Sequence, residues 1–167
     1  YTKASGTIAN EIYNNQLNNL QIANQTEGVN GILVGIPNGL VFRCNQNSNT
    51  STADIAVTTG VVNKNQGNCN NDQNPANNLF AGTATNDIWL NSSMPFMDYY
   101  HSSGNAQLVP ANNFPFGAVI TQQCVGSFNQ SVNCPSRQQI INNPTGLLGN
   151  LSTLRTQQQT LTNVIDN

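Results

Sequence analysis

The C-terminal segment, residues 146–166, reads GLLGNLSTLRTQQQTLTNVID and carries leucine and isoleucine at regular intervals. These residues recur three, four and seven positions apart, and Gln158 stands where one apolar residue is missing from the series. The spacing predicts an α-helix over residues 147–166 with a narrow apolar stripe, which needs a partner to be buried. We expect this stripe to be an interface, formed by Leu147, Leu151, Leu154, Gln158, Leu161 and Ile165.

The interpretation of Gln158 has two alternatives. One buried glutamine in an apolar stripe can fix the register and the number of helices that pack together. The same residue can instead point to solvent on a helix that packs only within its own domain. The sequence leaves both alternatives open.

A second helix is predicted near the N-terminus, over about residues 7–25. Its asparagines are poor helix formers, so this helix must be held by packing. We therefore predict that the two terminal helices pack against each other in antiparallel orientation. The apolar stripe that supports this prediction consists of Ile8, Ile12, Tyr13, Leu17 and Leu20.

The residues between the helices favour a small sheet. Gly31–Cys44 is typical of a β-hairpin, with a turn at residues 37–39 (Pro-Asn-Gly). No internal repeat and no linker are evident, so residues 1–167 are predicted to form a single domain. Its predicted class is α+β, with antiparallel terminal helices, a mainly antiparallel sheet and long disulfide-tied loops. Further strands are predicted at Ala53–Val62, Asp87–Leu90 and Phe116–Gln123.

The chain is poor in charge, which excludes several functions. Charged residues are 7% of the sequence and the formal net charge is −2, whereas soluble proteins are usually about 25% charged. Five dispersed basic residues cannot form a phosphate-binding patch, so nucleic acid is excluded as a partner. No segment is long and apolar enough to span a membrane.

A disordered, prion-like chain is the alternative for such an amide-rich composition, but the periodic apolar residues and the even number of cysteines favour a folded protein.

Four cysteines, Cys44, Cys69, Cys124 and Cys134, allow three pairings. None lies in a Cys-x-x-Cys motif, and the single histidine cannot complete a zinc site with them. We predict two disulfides within local loops, joining Cys44 to Cys69 and Cys124 to Cys134. Disulfides imply a periplasmic, cell-surface or extracellular location. Because the sequence begins at Tyr1, we expect it to be a processed piece of a longer chain.

No catalytic or cofactor motif is present. His101 has Asp98, Ser102 and Ser103 nearby in sequence, but triad residues meet in space and no nucleophile elbow exists. An asparagine-rich cluster around Asp72 lacks the calcium-loop pattern. We therefore predict no enzyme, no cofactor and no metal. The carboxylates lie in no glycosidase motif; they are Glu11, Glu27, Asp54, Asp72, Asp87, Asp98 and Asp166.

Aromatic residues offer one further candidate site, because Trp89, Tyr99 or Tyr100 could stack on a sugar ring. Such residues are more often part of the core.

The chain resembles three groups of extracytoplasmic bacterial proteins. The segment from Cys124 to Cys134 resembles the cysteine-closed loop of type IV pilins, although the apolar N-terminal segment of pilins is absent. The amide-rich composition is similar to that of periplasmic components of type IVB (Dot/Icm-type) secretion systems. The predicted layout of paired terminal helices and a disulfide-tied head is similar to that of outer-membrane adhesins.

These resemblances imply a non-catalytic structural subunit of a secretion system or pilus-like assembly. We expect it to self-associate through its terminal helices, as a homo-oligomer or with other subunits. An adhesin or glycan-binding head, with a host glycan or receptor as its partner, is the alternative.

Overall fold

The structure, a computed structural model, describes residues 1–33, 38–69, 74–129 and 133–135. Residues 1–129 form one compact unit and residues 130–167 a second. All the described strands belong to the first unit. That residues 1–167 form a single domain stays a prediction.

The described part of the first unit consists of short strands and one 3-10 helix, Ala106–Leu108. The strands are β1 (Thr2–Lys3), β2 (Asn10–Tyr13), β3 (Gln16–Asn18), β4 (Ile22–Glu27), β5 (Val29–Ile32), β6 (Asn38–Arg43), β7 (Gln46–Ser48), β8 (Ala53–Val57), β9 (Val61–Val62), β10 (Asn65–Gln66), β11 (Asn86–Leu90), β12 (Met97–Ser103), β13 (Asn113–Phe114) and β14 (Val119–Ser127).

Successive coils of the chain stack on one another in parallel register. Asn65 lies opposite Asp98, which makes that coil 33 residues long. Met97 lies opposite Val119, which makes the next one 22 residues long. Because each strand hydrogen-bonds to the equivalent strand of the next coil, the architecture is a parallel β-helix.

The coils build three faces. The first face is the sheet β1-β4-β8-β11-β13. The second face contains the parallel pair β2-β6 and the sheet β10-β12-β14, and the third face contains the pair β3-β7. The faces enclose the core, because alternate residues of each strand point inward.

Equivalent inward positions of neighbouring coils form apolar stacks. Ile55 lies opposite Ile88, and Val57 lies opposite Leu90. All four side chains are buried, and burying an aliphatic side chain of this size contributes about 2 kcal/mol. The core also includes Leu40, Phe42, Val62, Ala76, Phe80, Met94, Met97, Tyr99 and Ala118.

The turn that leaves the second face has the same backbone conformation in three coils. Asn14, Cys44 and Asn77 have φ angles of 53°, 60° and 47°, the left-handed region that asparagine tolerates better than most residues. Each is followed by an asparagine, and these three asparagines form a ladder whose contacts extend from one coil to the next.

The asparagine ladder is made of Asn15, Asn45 and Asn78. Asn15 Nδ2 donates to Asn45 Oδ1 at 2.9 Å, and Asn45 Nδ2 donates to Asn78 Oδ1 at 3.0 Å. The backbone N–H of Asn78 donates to the Tyr99 hydroxyl at 2.9 Å, so a tyrosine takes the place of the next asparagine. The ladder therefore satisfies turn groups that would otherwise be buried without partners.

The predicted α+β fold is wrong for the described chain. Residues 7–25, expected to be a helix, contain β2, β3 and the first part of β4. Ile8 is 78% exposed and Leu20 is 39% exposed, so the proposed stripe does not face a single core. The asparagines favour turns over a helix interior, and pairing with later coils fixes the extended conformation. The predicted helix over residues 147–166 and its interface residues lie outside the described residues.

The sheet prediction is also corrected. Among the described strands every ladder is parallel except β5–β6, where Gly31 lies opposite Gly39. That antiparallel pair lies within the predicted hairpin, although Pro37 lies outside the described residues. Gly39 has a φ of 121°, and a Cβ there would lie 2.3 Å from the Asn30 carbonyl oxygen, so only glycine fits. Of the other predicted strands, 53–62 is divided into β8 and β9, 87–90 falls within β11, and 116–123 overlaps β14.

The prediction that the four cysteines form disulfides is confirmed, but the predicted pairing is wrong. Cys69 is joined to Cys124, with 5.0 Å between their Cα atoms. Cys44 and Cys134 are disulfide-bonded as well, and no cysteine is free. Both predicted local pairs are therefore wrong, because stacking of coils brings residues that are distant in sequence together.

Candidate functional site

The outer edge of β14 is the first candidate site. This strand ends the sheet β10-β12-β14, and no strand of the described chain pairs with its outer side. Its nine residues read VITQQCVGS, and only Cys124 among them is buried. A long strand with one open edge presents unpaired backbone N–H and C=O groups to another chain.

The edge strand itself carries no charge, although Asp98 of the neighbouring strand β12 lies opposite Ile120. No Asp, Glu, Lys or Arg occurs between Asp98 and Arg137. Proteins usually protect open edges with charged side chains or proline, and β14 itself contains neither. The region also exposes large apolar side chains: Phe114 at 54%, Phe116 at 100%, Ile120 at 50% and Val125 at 84%.

A groove on the third face is the second candidate, and we call it the amide groove. It has a volume of about 330 Å³. No charged residue lies among its lining residues, which come from β3, β7 and the coils that follow. The lining consists of Gln16, Leu17, Asn18, Gln46, Asn47, Ser48, Leu79 and Gln107.

In the described residues, no hydrogen bond joins the His101 ring to Asp98 or to a serine hydroxyl, so these residues do not form a triad. His101 is buried, and its Nδ1 lies 3.0 Å from the Ser102 carbonyl oxygen. Asp98 Oδ2 lies 2.9 Å from Lys64 Nζ. The Ser102 hydroxyl oxygen accepts a hydrogen bond from Asn77 Nδ2 at 2.9 Å. The Ser103 hydroxyl donates to the Gly126 carbonyl oxygen at 3.0 Å. The absence of catalysis stays a prediction.

The aromatic candidates differ in accessibility. Tyr99 is fully buried against Phe80, with 5.6 Å between the ring centroids, and burial raises the pKa of its hydroxyl. It cannot stack on a ligand from solvent. Trp89 is partly exposed and lies opposite Phe114 on the first face, and Tyr100 is also partly exposed.

Two carboxylates occupy opposite positions on the first face, at Asp54 of β8 and Asp87 of β11. Asp54 Oδ2 accepts the backbone N–H of Ala81 at 2.6 Å. Asp87 Oδ2 accepts those of Ala111 and Asn112 at 2.6 and 2.9 Å. Each carboxylate thus holds the turn that precedes the next strand of this face. This geometry gives both a structural role.

The buried position of Asp54 makes its ionisation unfavourable. Burial raises the pKa of Asp54 above its ordinary value of 3.8, the hydrogen bond from the Ala81 N–H opposes the rise, and the charge of Asp87 adds to it. A raised pKa means that the folded state holds the proton more tightly than the unfolded state. This contribution to stability is full below pH 3.8 and is lost as the pH rises through the pKa of the folded state.

Asp54→Asn is therefore expected to become progressively more favourable, relative to the parent, as the pH rises from 3 to 7. The amide keeps an oxygen for the Ala81 N–H and carries no charge to bury. Urea unfolding of both proteins at pH 3, 5 and 7 checks this expectation. A difference in the free energy of unfolding that stays constant over this range would contradict it.

The described residues contain no group of three or more His, Cys, Asp or Glu side chains placed to hold a metal ion. Residues 70–73, which include most of the asparagine-rich cluster considered for calcium, lie outside the described residues. Within the described chain, no helix is long and apolar enough to cross a membrane.

Comparison with protein families, curated proteins and solved structures found no match to this chain. The sequence patterns gave no indication of the β14 edge or of the amide groove as sites. Both depend on which coils stack on one another.

Proposed function

We propose that this chain is a non-catalytic structural subunit of an extracytoplasmic bacterial assembly, and that it self-associates through the outer edge of β14. One observation carries the proposal, namely the uncharged outer edge of a nine-residue strand, with which no strand of the described residues pairs. Pairing with a second copy would satisfy the backbone groups of this edge and cover nearby apolar side chains, such as Val125.

The interface proposed here therefore differs from the one that the sequence predicted. The sequence-based proposal used both terminal helices, but residues 7–25 form no helix. In place of that stripe, the β14 edge offers backbone groups for pairing and two exposed apolar side chains, Ile120 and Val125. The C-terminal stripe, Leu147 to Ile165, stays a prediction.

The cysteines support an extracytoplasmic location. All four are in disulfides, and disulfides persist in oxidising compartments. We propose that the assembly is periplasmic, extracellular or at the cell surface. Its low charge also suits an interface formed by backbone pairing and apolar contact, which depends little on salt.

Val125→Lys is expected to weaken this association, raising its dissociation constant about tenfold or more, because the lysine charge would have to be buried in the interface. Light scattering over a range of concentrations measures the molar mass of the parent and the variant. Circular dichroism checks that the variant keeps its β-structure.

The matched control is Val29→Lys. Val29 is also an exposed valine, 54% accessible, but β5 has strands on both sides. We expect this control to associate like the parent. A parent that stays monomeric, or a control that dissociates as readily as Val125→Lys, would contradict assembly through the β14 edge.

A further inference from the structure

The amide groove presents a row of side chains from four successive coils. Gln16 lies opposite Gln46 in the β3–β7 pair, and Gln46 forms a parallel bridge with Leu79. The Phe80 N–H donates to the Gln107 carbonyl at 2.9 Å, which places the 3-10 helix beside Leu79 in the next coil. With neighbouring strands about 4.8 Å apart, the row extends about 14 Å.

The glutamine amides of this row are available to a ligand. Within the described residues, the side chains of Gln16, Gln46 and Gln107 make no hydrogen bond to the protein, and Gln16 and Gln107 are exposed. Asn18 differs, because its Oδ1 accepts from Ser48 Oγ at 3.1 Å and from Asn49 Nδ2 at 3.0 Å. The groove therefore combines unused amides with a neighbouring side chain fixed in place.

The chemistry of the lining selects a class of ligand. Each amide offers donors and an acceptor, the combination that pairs with hydroxyl groups, which also donate and accept. Phosphates and acidic sugars are usually bound by arginine or lysine, and neither lines the groove. Leu79 adds an apolar surface between the amides, suited to the C–H face of a sugar ring.

A peptide strand suits this groove less well. Extended peptides bind sheets through open backbone edges, whereas this groove runs across coils whose backbones already pair with each other at β3 and β7. The groove therefore offers side chains, whereas a peptide strand would need unpaired backbone N–H and C=O groups.

We propose that the amide groove binds a neutral oligosaccharide, with successive sugar units lying across successive coils. The stacking of the coils fixes the spacing of the backbone positions that carry these amides before the ligand binds, so only the side-chain rotamers remain to be ordered. This proposal is independent of assembly, since the groove lies on the third face and β14 belongs to the second.

The test uses the full chain and isothermal titration calorimetry with three neutral probes, the hexasaccharides of β-1,4-glucose, β-1,4-N-acetylglucosamine and α-1,4-glucose. We expect at least one to bind. Gln46→Ala should raise its dissociation constant about tenfold, the loss of one or two hydrogen bonds. Gln16→Ala combined with Gln46→Ala should abolish measurable binding.

Gln21→Ala is the matched control, because it removes an exposed amide that lies outside both the groove and β14, and it should leave binding unchanged. Hexagalacturonate, an acidic probe, should bind at least tenfold more weakly than the neutral one. The proposal is overturned if none of the neutral probes binds at millimolar concentration, if Gln46→Ala binds like the parent, if the control loses as much affinity, or if the acidic probe binds equally well.

Discussion

Replacing Cys69 and Cys124 together by alanine is expected to lower the free energy of unfolding by about 4 kcal/mol. The two cysteines are 55 residues apart in sequence, so the disulfide closes a long loop and strongly restricts the unfolded chain. Cys124 is also buried, and the smaller alanine adds a packing loss. In the folded protein the bond ties β14 to the loop that follows β10.

Guanidinium unfolding of the parent and the double variant, without reductant, measures this effect. Mass spectrometry provides the control, by showing that Cys44 and Cys134 remain oxidised in both proteins. A loss below 1 kcal/mol would show that the loop closed by Cys69 and Cys124 is already restricted in the unfolded state.

Asn45→Ala is expected to cost about 3 kcal/mol or more, because it removes the central member of the asparagine ladder. Asn45 is fully buried. Its Oδ1 accepts from Asn15 Nδ2 and its Nδ2 donates to the Ile12 carbonyl, each at 2.9 Å. Alanine leaves the half-buried Ile12 carbonyl without this donor, and it also removes the hydrogen bond to the buried Asn78 Oδ1. Asn15 is exposed, so its Nδ2 can turn to water.

The matched control for the ladder is Asn112→Ala. Asn112 is exposed and holds Asp87 through its backbone N–H, which alanine keeps, so we expect a change within about 0.5 kcal/mol. Thermal or urea unfolding of the two variants gives the comparison. Equal losses at the two positions would mean that the ladder contributes no special stability.

Local strands of this fold could be predicted from the sequence, whereas their arrangement could not. Residues 53–57 and 87–90 favour extended chain because they are rich in β-branched and aromatic residues. The apolar spacing of residues 7–25 imitates a helix because short strands and turns follow one another at similar intervals. Ile12 belongs to β2 and Leu17 to β3, so they lie on different faces of the coil.

The repeat is present in the sequence but is carried by polar residues. The dipeptide Asp-Ile occurs at residues 54–55 and again at 87–88, 33 positions later. Asn15, Asn45 and Asn78 mark the same turn in three coils. A search for apolar periodicity misses these signals, because coils of 22 to 33 residues keep no constant spacing.

The candidate sites depend on long-range register, which explains why the sequence did not predict them. Gln16 and Leu17 were placed on a helix, where they could not meet Leu79. The open edge of β14 is defined by its pairing with β12, which no local pattern in residues 119–127 specifies. The disulfide pairing was missed for the same reason, since proximity in sequence says little about proximity between coils.

The stacked coils also determine how the first unit, residues 1–129, bears mechanical load. The hydrogen bonds between coils run along the axis of the β-helix, so tension applied along that axis stretches one coil boundary after another, in series. The bond between Cys69, which follows β10, and Cys124 of β14 spans both the β10–β12 and the β12–β14 boundaries with a covalent link. Tension applied to β14 is thereby transmitted to the loop after β10, and we expect rupture at the coil boundaries that precede β10.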